Sequence, residues 1–105
     1  MAKPLFHKFH AKPVELDGIK FSSKREGLYY QKLKELQASG EVIGFFRQTP
    51  VHLPGNVKYV MDFLVFYADG TCEAIEVKGF ETEIWRSKQK MLAALYPWLP
   101  LKVIK

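Results

Sequence analysis

The sequence has little cysteine and no long apolar run. Its single cysteine, Cys72, excludes an internal disulfide framework and a cysteine-based zinc site. No stretch approaches the roughly 18 apolar residues that a membrane-spanning helix needs, and the N-terminus lacks the apolar core of a signal peptide. We therefore expect a cytoplasmic protein with no membrane partner, since one cysteine suits a reducing compartment.

Acidic residues are the minority among the charged ones. The 105 residues include 11 Asp and Glu against 16 Lys and Arg, which gives a formal charge of +5. This excess favours a polyanionic partner, nucleic acid first and a membrane surface second, although a solvated basic surface explains the charge alone equally well. A hydrophobic share of 48% fits an ordinary folded protein, and the length predicts a single domain over residues 1–105.

Periodicity and turn residues predict the order of the elements. Residues 1–13 are expected to form a basic arm, followed by a short hairpin over 14–21. The later elements are a helix over 23–39, strands over 41–49, 58–67 and 71–78, a helix over 82–95 and a strand over 101–105. Pro50 is expected to break the first of these strands. The order αβββαβ predicts an α/β fold with a mixed sheet.

The two helices carry further local signals. Ser23 followed by Glu26 is a capping box, which predicts the start of the first helix. In the second helix, Thr82 is the expected N-cap. The apolar stripe of that helix is predicted to contain Ile84, Lys88, Met91 and Leu95, with Trp85 and Leu92 beside it.

Asp62 is unusual because it lies inside an otherwise apolar strand, between Met61 and Phe63. An ionised carboxylate there is costly unless it is paired or bound to a metal. Glu76 and Lys78 on the next strand share one face, because successive strand residues face opposite sides.

The loop between these strands decides whether the three side chains meet. A three-residue loop over 68–70, with Gly70 in the left-handed region, would pair Tyr67 with Thr71 and set Asp62 opposite Glu76. A two-residue loop would put the two carboxylates on opposite faces. The three-residue loop is the interpretation that we adopt.

Two carboxylates this close repel each other by several kcal/mol in a partly dry site unless a cation bridges them. A hard ion such as Mg²⁺ would satisfy both Asp62 and Glu76. Lys78 could then orient the attacking water and offset the charge that develops on the phosphate. The alternative is that Asp62 is satisfied by backbone groups and that Glu76 and Lys78 form a solvated ion pair.

The motif Met61-Asp62 followed by Glu76-Val77-Lys78 resembles the PD-(D/E)XK nuclease superfamily, with Met61 in place of the leading proline. A longer match is similar to a small phage and prophage family related to Holliday-junction resolvases; it comprises 17–26, Tyr30, 48–50, 59–63 and 76–79. The resemblance implies a restriction-endonuclease-like αβββαβ core and dependence on Mg²⁺ or Mn²⁺. It also implies branched DNA as substrate and a homodimer, since cutting a two-fold junction needs two matched sites.

The resemblance also implies supporting roles for two residues. Glu26 lies on the apolar face of the first helix with Tyr30 and Leu33, where it could bind the metal or orient a metal-bound water. The capping box with Ser23 competes for the same side chain. Gln48 resembles a glutamine that supports water or DNA, and a polar residue on an edge strand is the equally good alternative.

Basic residues in two regions are candidate DNA contacts. Arg86, Lys88 and Lys90 of the second helix could form a phosphate-contacting ridge, and Lys8 and Lys12 of the arm could track a DNA backbone. The sequence therefore predicts a metal-dependent, structure-specific DNA endonuclease. The alternatives are a DNA-binding module without catalysis and a phage accessory protein that acts through protein contacts.

Overall fold

The computed structural model describes residues 13–77 and 81–105. Lys78 and the basic arm with Lys8 and Lys12 lie outside the described residues. The roles predicted for these three lysines therefore stay predictions.

The described residues form a small α/β fold in which a hairpin precedes the predicted αβββαβ order. The elements are β1 (Val14–Leu16), β2 (Ile19–Phe21), α1 (Lys24–Ser39), β3 (Val42–Leu53), β4 (Val57–Tyr67), β5 (Cys72–Val77), α2 (Glu83–Leu95) and β6 (Leu101–Ile104). No helix among them is long and apolar enough to cross a bilayer.

Helix α1 begins and ends where its capping residues predict. The Ser23 hydroxyl accepts a hydrogen bond from the Glu26 backbone N–H at 3.0 Å, and Gly40 ends the helix with a φ of 91°. Gly27 lets the β1–β2 hairpin approach the helix closely, because a Cβ there would lie 2.7 Å from Val14 Cγ2. The first turns of α1 are thereby fixed against the hairpin.

The main sheet is mixed and has the order β3-β4-β5-β6. The first two pairings are antiparallel, and β5 pairs with β6 in parallel. Ile75 packs in a core cluster with Leu33 of α1, whereas its neighbour Ala74 packs in a second cluster with Trp85 of α2. The sheet is therefore covered by one helix on each face.

The β4–β5 hairpin has the predicted register. Phe63 pairs with Ile75 and Phe66 with Cys72, and the Tyr67 N–H donates to the Thr71 carbonyl oxygen at 2.9 Å. The turn is closed by Gly70 at a φ of 91°. The three-residue loop is thus confirmed, and with it the relative position of the residues on both strands.

The predicted break at Pro50 is wrong. Strand β3 continues to Leu53, and Pro50 pairs with Val60 of β4. In the four-stranded sheet of the described residues, β3 lies at the edge. A proline is tolerated at an edge because its missing N–H costs no bond to a second neighbour.

The predicted buried stripe of α2 is also wrong in part. Ile84 and Leu95 are 71% and 48% exposed, whereas Trp85 and Leu92 are buried. The helix presents the side that carries Trp85 to the sheet, because the indole has the largest apolar area to bury. Thr82 is the N-cap, as predicted, and accepts from the Trp85 backbone N–H at 3.1 Å.

Candidate active site

The middle of β4 does not keep the regular alternation of a strand. Tyr59 and Met61 pack in the cluster with α2, whereas Phe63 and Val65 pack in the cluster with α1. In a regular strand all four would face the same side. The change of face occurs at Asp62, so the predicted metal ligand lies at an irregular point of the sheet.

The neighbouring strand is irregular at the matching position. Gln48 has a φ of 49°, which is the left-handed region that residues other than glycine rarely adopt. Its neighbours Arg47 and Thr49 pair with β4 on either side of Asp62. Gln48 Nε2 donates to Glu26 Oε2 at 3.2 Å and to Asp62 Oδ1 at 3.5 Å. Gln48 therefore links two of the predicted carboxylates.

Asp62 is half-buried, and its Oδ2 accepts from the Val77 backbone N–H at 2.7 Å. Burial and, to a smaller extent, the charge of Glu76 together raise the pKa of Asp62 from its ordinary value to about 7. The bond from Val77 acts against this rise. The electrostatic effect shows that Asp62 and Glu76 lie close enough to repel each other.

Glu76 and Glu26 are the two buried carboxylates, with exposed fractions of 6% and 3%. Glu76 Oε1 accepts from the Tyr59 hydroxyl at 2.8 Å, and Glu26 Oε1 accepts from the Ser22 hydroxyl at 2.8 Å. Since Glu26 also meets Gln48, the carboxylate at the start of α1 reaches the site while the Ser23 half of the capping box is present. The Glu26 carboxylate is thus engaged by Ser22 and Gln48, and its predicted role at the metal stays a prediction.

The three predicted ligands do not form a closed cage. Within residues 13–77 and 81–105, no three His, Cys, Asp or Glu side chains are grouped closely enough to hold a metal. Glu26 is linked to Asp62 through Gln48, and Asp62 is linked to the Glu76 strand by the N–H of Val77, the residue next to Glu76. Asp62 and Glu76 fit Mg²⁺, which keeps several waters and commonly binds one or two carboxylates together with substrate phosphate. A cation bound between Asp62 and Glu76 would neutralise the repulsion that raises the pKa of Asp62, and this favours cation binding at the two carboxylates.

A cleft of about 330 Å³ opens beside Glu76. Its walls include Tyr59 and Trp85, and two lysines, Lys58 and Lys88, also line it. Mobile ammonium groups next to carboxylates suit a phosphate-bearing ligand, because they offset its charge without closing the cleft. Of the ridge predicted on α2, the structure therefore brings Lys88 to the site.

The other two members of the predicted ridge lie elsewhere. Arg86 is exposed and forms an ion pair with Glu81, with Nη1 and Oε1 3.7 Å apart. Lys90 is exposed and does not line this cleft. Contact of either residue with DNA would have to occur outside the cleft and stays a prediction.

Three residues of the site were missed in the sequence: Tyr59, Ser22 and Lys58. Tyr59 is the most consequential, since it holds Glu76 directly. Tyr59 belongs to the stretch that resembles the nuclease family, but a regular strand would put it on the face opposite Asp62, and no role was predicted for it. The positive φ of Gln48 accompanies the change of face of β4, and it could not be predicted from the residue type, because glutamine rarely adopts this conformation.

The described residues form a small mixed-sheet α/β domain in which the half-buried Asp62 lies near the buried Glu76, and Glu76 lines a cleft together with two lysines. By sequence, the chain belongs to the family described as "Protein of unknown function (DUF1064)", which it matches over residues 6–105. A comparison with curated proteins finds no match.

Proposed function

We propose that this protein is a Mg²⁺- or Mn²⁺-dependent endonuclease that hydrolyses phosphodiester bonds in branched DNA. The observation that carries the proposal is that Asp62 and Glu76 directly adjoin the paired residues Phe63 and Ile75 of the hairpin. Asp62 accepts from the Val77 N–H, and burial and Glu76 raise its pKa to about 7. The resemblance to the PD-(D/E)XK superfamily and to Holliday-junction resolvases supports the same reaction, and with it a homodimer.

Each residue of the candidate site has a separate role in the proposed reaction. Asp62 and Glu76 would hold the divalent ion, and Gln48 orients Asp62 while tying it to Glu26. When bound, the ion lowers the pKa of a water molecule and polarises the phosphate. Lys78, directly after β5, is proposed to stabilise the charge that develops on the phosphate oxygens.

DNA would lie along the cleft beside Glu76. Lys58 on β4 and Lys88 on α2 border the cleft from different elements, so their ammonium groups can bind phosphates on either side of the cleaved bond. The net charge of +5 adds a long-range attraction that concentrates DNA at the surface. In this arrangement the lysines bind the DNA, and the carboxylates would hold the metal ion that promotes hydrolysis.

One observation favours a second candidate, a DNA-binding module without catalysis. In the described part of the chain the carboxylates are already hydrogen-bonded by Tyr59, Ser22 and Gln48, and no three-ligand group forms. A protein that used the fold only to bind DNA would tolerate this arrangement. The two candidates differ in whether DNA is ever nicked.

The test is a cleavage assay on four-way junctions, forks, flaps and linear duplexes, with Mg²⁺, with Mn²⁺ and with EDTA. We expect cleavage of branched DNA in either metal and none in EDTA. Asp62→Asn should abolish cleavage and leave DNA binding nearly intact, because it removes a ligand charge and keeps the shape of the side chain.

The control variant is Asp69→Asn, which changes an exposed carboxylate in the β4–β5 turn and should cleave as the unchanged protein does. Binding of junctions without nicking in any divalent metal would refute the endonuclease and support the binding module. Loss of both binding and cleavage in Asp62→Asn would count against the assignment of Asp62 as a ligand.

A further inference from the structure

We infer that Tyr59 is a positioning residue that fixes the Glu76 carboxylate for metal binding. The inference rests on the proposed function, because it concerns how the same site holds its ion. It assigns a task to a residue that lies three positions before Asp62 on β4 and for which no role was predicted from the sequence.

The geometry restricts what the Tyr59 hydroxyl can do. Tyr59 is 3% exposed, and its hydroxyl donates to Glu76 Oε1 at 2.8 Å inside a buried environment. A buried carboxylate without a donor costs free energy, so this bond stabilises Glu76 in its buried position. With Oε1 held by Tyr59, the carboxylate has a set rotation about its Cγ–Cδ bond, which sets where Oε2 lies.

Two further contacts hold Tyr59 itself in place. Its ring lies with Met61 and Leu92 in the buried cluster under α2, and the side chain of Trp85 belongs to the same cluster. The orientation of Glu76 is therefore transmitted from the packing of α2 on the sheet.

The same sheet contains a matched pair far from Asp62 along the hairpin. Tyr67, also on β4, donates through its hydroxyl to Glu73 Oε1 at 2.6 Å, and Glu73 also lies on β5. Tyr59→Phe and Tyr67→Phe each delete one hydroxyl that donates to a glutamate on the neighbouring strand. Only the first deletion should affect the ion.

The experiment measures Mn²⁺ affinity by isothermal titration for the unchanged protein, Tyr59→Phe, Tyr67→Phe and Asp62→Asn. All are first shown to be folded by circular dichroism at the working temperature. Loss of a residue that hydrogen-bonds a metal ligand typically weakens metal binding by about 10-fold to 100-fold. We expect a weakening of that size for Tyr59→Phe and about no change for Tyr67→Phe.

A second measurement separates positioning from damage to the fold. The Mn²⁺ concentration that gives half-maximal DNA cleavage should rise in Tyr59→Phe by about the same factor as the dissociation constant. The rate at saturating Mn²⁺ should recover. A reduced rate at every Mn²⁺ concentration, with half-saturation unchanged, would overturn the positioning role.

The outcomes for the inference and for the proposed function are distinct. If the unchanged protein binds Mn²⁺, Asp62→Asn loses binding and Tyr59→Phe binds as before, the role of Tyr59 is overturned and the metal site stands. If the unchanged protein does not bind Mn²⁺ at all, the proposed function fails and the role of Tyr59 fails with it.

Discussion

Replacing Asp62 with asparagine should destabilise the protein at acidic pH and stabilise it at mildly alkaline pH. In the folded protein, burial and the charge of Glu76 raise the pKa of Asp62 from 3.8 to about 7. Between these values the folded state binds a proton that the unfolded state has released. The free energy of unfolding therefore falls as the pH rises from about 4 to about 7, where the raised pKa has been passed.

The magnitude follows from the size of the shift. About three pKa units correspond to about 4 kcal/mol as an upper limit. Because Asp62 is only half-buried, water screens its charge, and we expect roughly half of this, about 2 kcal/mol. Asparagine removes that cost at alkaline pH but loses one acceptor, since Asp62 accepts from both Val77 and Gln48, which costs about 1 kcal/mol.

The expected result is a variant about 1 kcal/mol less stable than the unchanged protein near pH 4.5 and about 1 kcal/mol more stable near pH 8. Urea denaturation in EDTA at both pH values measures this difference. Asp69→Asn is the control: Thr71 lowers the pKa of this exposed carboxyl, so its contribution has the opposite dependence, present above its ordinary pKa and lost as the pH falls. A stability difference for Asp62→Asn that does not change with pH would refute the reasoning.

Three further perturbations test other parts of the structure. Gln48→Gly should be more stable than Gln48→Ala by about 1 kcal/mol in urea denaturation, because only glycine adopts the φ of 49° without strain; equal stability would contradict that conformation. Gly27→Ala should lower the melting temperature despite the better helix propensity of alanine, because its Cβ would meet Val14 Cγ2 at 2.7 Å, and a rise would contradict the close packing. Lys88→Ala should weaken junction binding and reduce the salt slope by about 1 in a fluorescence anisotropy titration, whereas Lys105→Ala, which removes a lysine paired with Glu81, should change neither.

The β4–β5 hairpin shows what local sequence can predict. Its register depends on a three-residue turn in which Gly70 takes a positive φ, and the Asp69 side chain bonds to the Thr71 backbone N–H at 2.9 Å. These contacts span two residues, so the residue types alone carry the information. The pairing of Phe63 with Ile75 follows from this turn by counting, and it brings Asp62 and Glu76 to neighbouring positions on the two strands.

The features that sequence reasoning missed depend on contacts between distant segments. Pro50 is tolerated because β3 lies at an edge of the sheet, which no local pattern states. Tyr59 reaches Glu76 because β4 changes face at Asp62, opposite the unusual backbone of Gln48. The side of α2 that packs on the sheet depends on where Trp85 can be buried, and this depends on the whole surface of the sheet below the helix.

The roles of Glu26 illustrate a third situation, in which the sequence offered two answers. The Ser23 half of the capping box uses only the backbone N–H of Glu26, which donates to the Ser23 hydroxyl. The carboxylate is then engaged by Ser22 and Gln48 from two other elements. A complete capping box would also use this carboxylate, so the two predicted roles do compete for one side chain.

The central claim is that Asp62 and Glu76 bind one divalent ion together. Diffraction data collected at the manganese absorption edge, from crystals grown with Mn²⁺, test it most directly. We predict a single strong anomalous peak within coordination distance of carboxylate oxygens of both residues. Bound Mn²⁺ at some other place, or well-ordered Asp62 and Glu76 side chains with no peak between them, would contradict the claim.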